Sequence, residues 1–389
     1  MISVSPGPPP WAVTSLLAAV IAGCDRPESA ACEVAGTEGS AVRNTSVGDW
    51  PAEPSWREAW RAGGAEEGEE LVFPADVAVG PDGSVAIADW GLAEVILLDP
   101  DGEWLGPVMT RGEGPGEVQA PAALTWVDAN TLLVLDFGTF RLTTLDLPSR
   151  AASATAVDPA FMSPVFASGE VTFVALQPDR TVWLEFPGRI EDGWEERSFV
   201  RWSPGNPVND TVARSRARAL ERTTLPAWPR PLVGVGAETR VLSDPDGRYE
   251  LTVFDRDDSI LVRFCHPAEA LPLAPAERGE APDERMPDAW RAALRELGGP
   301  PQPAIISRIV VDADGRIWVQ RDRPLPGAAG PHGAPGALHD VFLPSGRFLG
   351  SIRLPEDHRL LEAQGRRVWT LHTGSLDESS IAALEIEFQ

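Results

Sequence analysis

The sequence predicts an all-β fold: a six-bladed β-propeller of four-stranded antiparallel blades, with short helical insertions. Three observations carry this. Strand–turn units recur at intervals of roughly 40–50 residues, the length of one blade. Within each unit apolar residues alternate with period two between Asp/Gly turns, the pattern of an antiparallel meander. Glycine and proline number 36 and 38 among 389 residues, which favours many turns over long helices.

Residues 1–23 read as a signal peptide of lipoprotein type. Trp11 to Gly23 is an uncharged, mostly apolar run of 13 residues. That is too short to span a bilayer as a helix and suits a signal-peptide core. The run ends in Ile21-Ala22-Gly23-Cys24, which resembles the bacterial lipobox. The resemblance implies cleavage before Cys24 and a diacylglyceryl group on its thiol. No Arg precedes the run and the chain has no lysine, so the usual basic start is missing. Residues 24–39 are small and polar and read as a flexible tether. An exported compartment would permit a Cys32–Cys265 disulfide, but the reading adopted is two unrelated cysteines, one in the tether and one at a strand end.

Residues 40–389 form the propeller domain in this reading. The clearest unit is ADVAVGPDGSVAIADWGLAEVILLDPDGEWLG at 75–106. Val77 and Val79 alternate, PDG turns the chain, Val85 and Ile87 alternate, and Asp89 closes the second strand. Further units start near 122, 169, 233, 307 and 359. A strand within 40–61 is expected to pair with 381–388 and complete the last blade. Without it the ring would leave two open sheet edges.

Two insertions read as helices. DERMPDAWRAALREL at 283–297 places Met286, Trp290, Leu294 and Leu297 on one face. DTVARSRARALER at 210–222 is a second helix candidate and the most basic stretch of an acidic chain. Its Arg214 and Arg218, with Trp290 and His372, are the candidates for a partner-binding rim at the channel mouth. The Gly/Pro-rich loop 324–337, which holds His332, is expected to help shape that rim.

The unit at 75–106 and the following RGEGPGEVQAP at 111–121 resemble a family of exported bacterial six-bladed propellers related to NHL repeats. There a D-x-D-G turn leads into a glycine-rich crossover and a proline. This chain has Val118 where that family usually has Phe. AVRNTSVGDW at 41–50 and SWREAW at 55–60 resemble the segments that precede the first blade in such lipoproteins. The resemblance speaks to fold far more than to function, because such propellers include binding proteins and enzymes.

Charge and chemistry narrow the function. Net charge is −25, from 33 Lys+Arg against 58 Asp+Glu. That argues against nucleic acid, which needs a basic footprint. With no lysine there is no Schiff-base or P-loop lysine. Five scattered histidines form no HExxH, and no GxSxG occurs. The D-x-D-G turns lack the downstream Glu of an EF-hand and read as β-turns. RGEGPGE carries two glutamates and reads as an inter-blade crossover, not a phosphate cradle. Trp90 and Trp194 are candidates to stack on a sugar or peptide. The expected function is a non-enzymatic binding module, lipid-anchored in a bacterial envelope and facing periplasm or exterior. Its partner would be a protein, peptide or glycan, and the chain a monomer without a cofactor. The alternative is a calcium-dependent hydrolase or lactonase of the gluconolactonase-like class, with ligands drawn from separate blades.

Overall fold

A computed structural model describes residues 39–388, apart from 65–68, 159–160, 162–173, 193, 206–209, 221–222, 225–229, 245–247, much of 269–287, 298, 301–302, 322–335 and 375–377. The signal peptide, Cys24, Cys32 and His332 lie outside the described residues.

The chain is all-β and builds six sheets among the described residues, each a meander read outward from a first strand. The first sheet holds Pro74–Val79, Val85–Asp89, Glu94–Leu98, Trp104–Arg111 and the short Glu117–Val118. The second holds Pro121–Asp128, Thr131–Asp136, Arg141–Asp146 and Ala152–Ala156. The third holds Val174–Leu176, Val182–Glu191, Trp194–Trp202, Asp210–Leu220 and Thr223–Thr224. The fourth holds Val233–Val235, Arg240–Ser243, Glu250–Phe254 and Ile260–Cys265. The fifth holds Arg308–Val311, Ile317–Gln320, Leu338–Phe342 and Phe348–Arg353. The sixth holds His358–Gln364, Arg367–Thr373 and Ser379–Phe388, with Pro54–Gly63 as its outermost strand.

The period-two pattern makes these sheets and also packs them. In Val85–Asp89 every residue is buried, because both sheet faces meet a neighbour. Ile87, Ile96, Trp369 and Ile381 join the first sheet to the sixth. Ala86, Val95, Leu124 and Val134 join it to the second. Similar apolar clusters join second to third, fourth to fifth and fifth to sixth. The third and fourth sheets meet differently. Gln177 Nε2 donates to the Gly236 carbonyl at 2.7 Å, and Arg240 lies over Trp183 at 5.3 Å while pairing with Asp258.

The N-terminal segment runs outside three sheets in turn. Ser40–Arg43 pairs parallel with Ile260–Cys265 on the fourth, Arg43 facing Cys265. Asn44 Nδ2 donates to the carbonyls of Cys265 and Gly346, and its Oδ1 accepts from Phe348 N. Trp50 N donates to the Leu349 carbonyl at 2.8 Å on the fifth. Pro54–Gly63 then lies antiparallel beside Ser379–Phe388. Gly350 is required here, because a Cβ at that position would stand 2.4 Å from the Trp50 ring.

Three expectations change. Residues 210–220 are a strand, Asp210–Leu220, antiparallel to Trp194–Trp202, and not a helix. The other helix spans Asp288–Leu297, with Asp288 in its first turn and Arg295 in its last, as the helix dipole favours. Residues 283–287 fall outside the described part. Cys265 is disulfide-bonded, so the reading of unpaired cysteines fails. The parallel strand Ser40–Arg43, which carries the N-terminal segment alongside Cys265, is what the sequence did not reveal.

Candidate functional site: a charged cluster below an aromatic lip

The first strands of the sixth, first, second and third sheets contact one another in turn, and so do those of the fourth and fifth. Facing edges of such strands carry backbone groups that no further strand can pair. Charged side chains fill this role at three points. Asp76 Oδ2 accepts from Leu124 N at 2.9 Å, tying the first sheet to the second. Arg308 Nη1 donates to the Leu360 carbonyl at 2.9 Å, tying the fifth to the sixth. Glu362 Oε1 accepts from Ala363 N at 2.9 Å.

These three groups sense each other. Enclosure by protein raises the Asp76 carboxyl to about 7, against the opposing pull of its Leu124 and Val77 bonds and of Arg308. Enclosure also raises Glu362 to about 8, and the nearby Asp312 and Asp76 charges push the same way. Arg308 is lowered to about 10 by loss of water, although Asp76 and Glu362 both favour its charge. Two carboxyls poised near neutrality beside a guanidinium, on strands from three sheets, form the strongest constellation of the chain.

The set does not fit calcium. Arg308 already supplies positive charge between the carboxyls, and hard cations need several oxygens without a competing cation. Among the described residues no group of three or more His, Cys, Asp or Glu is arranged to hold a metal ion.

The upper face, where first strands begin and second strands end, is fixed by carboxylates. Asp89 accepts from Val72 N, Phe73 N and Leu92 N. Asp136 accepts from Gln119 N, Ala120 N and Gly138 N. Ser243 does this for Leu232 N in the fourth sheet. The loops so held present a lip of apolar side chains. Val72 is 57% exposed, Phe73 50%, Trp90 43% and Trp194 38%. Trp90 N donates to the Phe73 carbonyl, and its ring meets Phe137 edge-on at 6.2 Å.

The predicted rim residues fare unevenly. His372 is on the second strand of the sixth sheet, its ring 4.9 Å from that of His358 and its Nδ1 3.2 Å from Ser380 Oγ. It does not join Asp76, Arg308 and Glu362. Arg214 and Arg218 stand opposite Ser198 and Trp194 in the third sheet. Trp290 lies in the helix Asp288–Leu297. The side chains of these three are outside the described part. Trp90 and Trp194 are exposed on the upper face, where a stacking role needs them. Asp76, Arg308 and Glu362 were missed. The available signal was a charge inside an otherwise apolar first strand, as in PADVAV and RLLEAQ.

Turn carboxylates are occupied by their own backbone. Asp99 Oδ1 accepts from Asp101 N and Glu103 N, and Asp312 Oδ1 from Asp314 N and Arg316 N. In RGEGPGE, Glu117 Oε2 takes Gly114 N at 2.6 Å, so the loop holds its own anion.

No family model matches the chain, and no curated protein matches it. Solved structures do resemble it. A member of the duf4221 family from Bacteroides vulgatus shares 10% identity over 87% of this chain and 99% of its own, with a TM-score of 0.51. A Bacteroides fragilis protein described as exported shares 8% over 89% and 99%, with a TM-score of 0.46. A calcium-binding protein, regucalcin, from Agrobacterium tumefaciens shares 10% over 90% and 97%, with a TM-score of 0.39. At 10% identity the likeness to the duf4221 structure speaks to fold alone, and that fold is the all-β arrangement of sheets described above.

Proposed function

We propose that this chain is a six-bladed propeller whose ring is closed by Pro54–Gly63 and whose upper face and channel bind a ligand without transforming it. The six sheets and their mutual contacts support the ring. The observation that carries binding is the Asp76–Arg308–Glu362 cluster beneath the exposed lip. Two half-buried carboxyls and a guanidinium are gathered on the first strands of three sheets, and groups perturbed and gathered in this way mark functional sites more often than structural ones. The chain acts as a monomer in a bacterial envelope, held by lipid on Cys24. The lipobox-like Ile21-Ala22-Gly23-Cys24 supports that address; no helix among the described residues is long and apolar enough to cross a membrane.

A thermal-shift screen of peptides, saccharides and small ions tests the binding role. A ligand that raises the melting temperature of the native protein but not of Arg308→Gln supports it. Calcium-dependent opening of a lactone by the native protein, abolished by Glu362→Gln, would replace it with the hydrolase. For the anchor, Cys24→Ala should release the protein from the membrane fraction or leave an unprocessed precursor. Unchanged mass and unchanged fractionation would remove the lipid from the account.

A further inference from the structure

The site's chemistry selects among ligands. Phe73 stands three residues before Asp76 on the same extended chain, so roughly 10 Å separates lip from charged cluster at about 3.3 Å per residue. That depth suits a short chain of rings or a peptide strand better than one small ion. A free cation entering the cluster meets the Arg308 guanidinium, and a free anion meets Asp76 and Glu362. Neither finds a one-signed site. A neutral molecule rich in hydroxyls suits the cluster, because each hydroxyl both donates and accepts. Arg308 can donate, while Asp76 and Glu362 accept when ionised and donate when protonated. With Asp76 near 7 and Glu362 near 8, both protonated and ionised carboxyls are present at pH 7, so the cluster offers donors and acceptors together.

The lip adds the apolar half. Phe73 N donates to Asp89, Trp90 N donates to the Phe73 carbonyl, and the Trp90 ring meets Phe137 edge-on, so little order is lost when a ligand stacks on them. Aromatic faces with a few convergent polar groups form the usual lining of sites for small organic ligands.

We propose that the channel mouth binds the end of a neutral saccharide chain, its outer ring stacked on Trp90 and Phe73 and its inner hydroxyls read by Asp76, Arg308 and Glu362. This rests on the binding role proposed above and names its ligand class. The test uses detergent-solubilised full-length protein on a printed array of neutral and acidic glycans, followed by calorimetry with the best neutral glycan. Native protein should bind a neutral glycan, and Trp90→Ala and Arg308→Gln should each weaken binding at least tenfold. Trp90 is exposed, so Trp90→Ala should keep the native melting temperature and separate lost contact from lost fold. Asp76→Asn, which keeps an acceptor for Leu124 N, serves as a second variant and should also weaken binding. An array without neutral hits, or affinity indifferent to Trp90→Ala, overturns the saccharide. If the array is blank but spermidine, citrate or a peptide stabilises native protein and not Arg308→Gln, the saccharide falls and the binding role stands. If none of these probes binds, both fall.

Discussion

Glu362 and Asp76 are single side chains with opposite demands placed on them by folding and by the site. A carboxyl raised in the folded state keeps its proton where the unfolded chain has lost it. Its contribution to stability is therefore complete below the unfolded value, near 4.5 for Glu362, and is lost as pH rises through about 8. Glu362→Gln removes this loss and still accepts from Ala363 N. It should stabilise the protein by about 1–3 kcal/mol at pH 8, given about 1.4 kcal/mol for each tenfold change in proton affinity and some water in the channel, and by nearly nothing at pH 4. Denaturant melts of both proteins at the two pH values check this; a destabilised variant at pH 8 would mean the carboxylate is a structural necessity. His358 has the reverse sign. Burial, with His372 and Arg61 nearby, lowers it to about 4. Thr370 Oγ1 donates to the Ala382 carbonyl and so accepts from His358 Nδ1, which fixes the neutral tautomer. Stability is intact above about 6.5 and falls as pH drops toward 4, because the unfolded chain takes the proton first. His358→Gln should flatten that fall in acid-titrated melts.

Single elements show what sequence periodicity can and cannot deliver. Strands such as Val85–Asp89 and Thr131–Asp136 were legible because apolar runs of strand length sit between turn residues. Asp210–Leu220 was misread because alternating Arg and small residues also satisfy a loose helical pattern, and only the partner strand Trp194–Trp202 decides between them. The outer strand Pro54–Gly63 was inferred from edge avoidance and not from its own pattern, whereas the parallel strand Ser40–Arg43 is four residues long and leaves no periodic trace. The charged cluster was hidden for another reason. Asp76, Arg308 and Glu362 are more than 280 residues apart at their extremes and meet only when first strands converge. The N-terminal strap yields a prediction of its own. Gly350→Val should drive a side chain into Trp50 and destabilise by about 1–3 kcal/mol. Trp50→Ala in the same chain should recover part of that loss, and a double-mutant cycle measures the coupling. Independent, additive losses would show that Trp50 does not pack as described.

At the scale of the molecule, five sheet junctions are apolar among the described residues, and the contacts described between the third and fourth sheets run through Gln177, Trp183, Arg240 and Asp258. Polar junctions with half-exposed ion pairs add little stability and weaken with salt. Amides along this junction, such as Arg240 and Phe254, should exchange with solvent sooner than those of Val85–Asp89, and sooner still in high salt. Hydrogen exchange read by mass spectrometry checks it; uniform protection around all six sheets would show the junction to be as strong as the rest. Deleting residues 25–31, which spares every cysteine and so the disulfide at Cys265, should leave the melting temperature nearly unchanged. Deleting 25–63 should remove Asn44, Trp50 and a whole strand of the sixth sheet, at a cost of several kcal/mol.

The strap that crosses the fourth, fifth and sixth sheets also decides how the protein bears force. The chain's other two cysteines both precede Ser40, so tension applied at the N-terminus is carried first by the covalent disulfide to Cys265, and the parallel ladder to Ile260–Cys265 is loaded only once that bond is reduced. Pulled along its length, that ladder resists as a set of bonds strained together; pulled sideways, it opens one bond at a time. The disulfide at Cys265 stands beside the last rung, opposite Arg43. A load on the N-terminus would therefore be borne at the outer edge of the fourth sheet, through the disulfide when it is oxidised and through the ladder when it is reduced, far along the chain from the strand Pro54–Gly63.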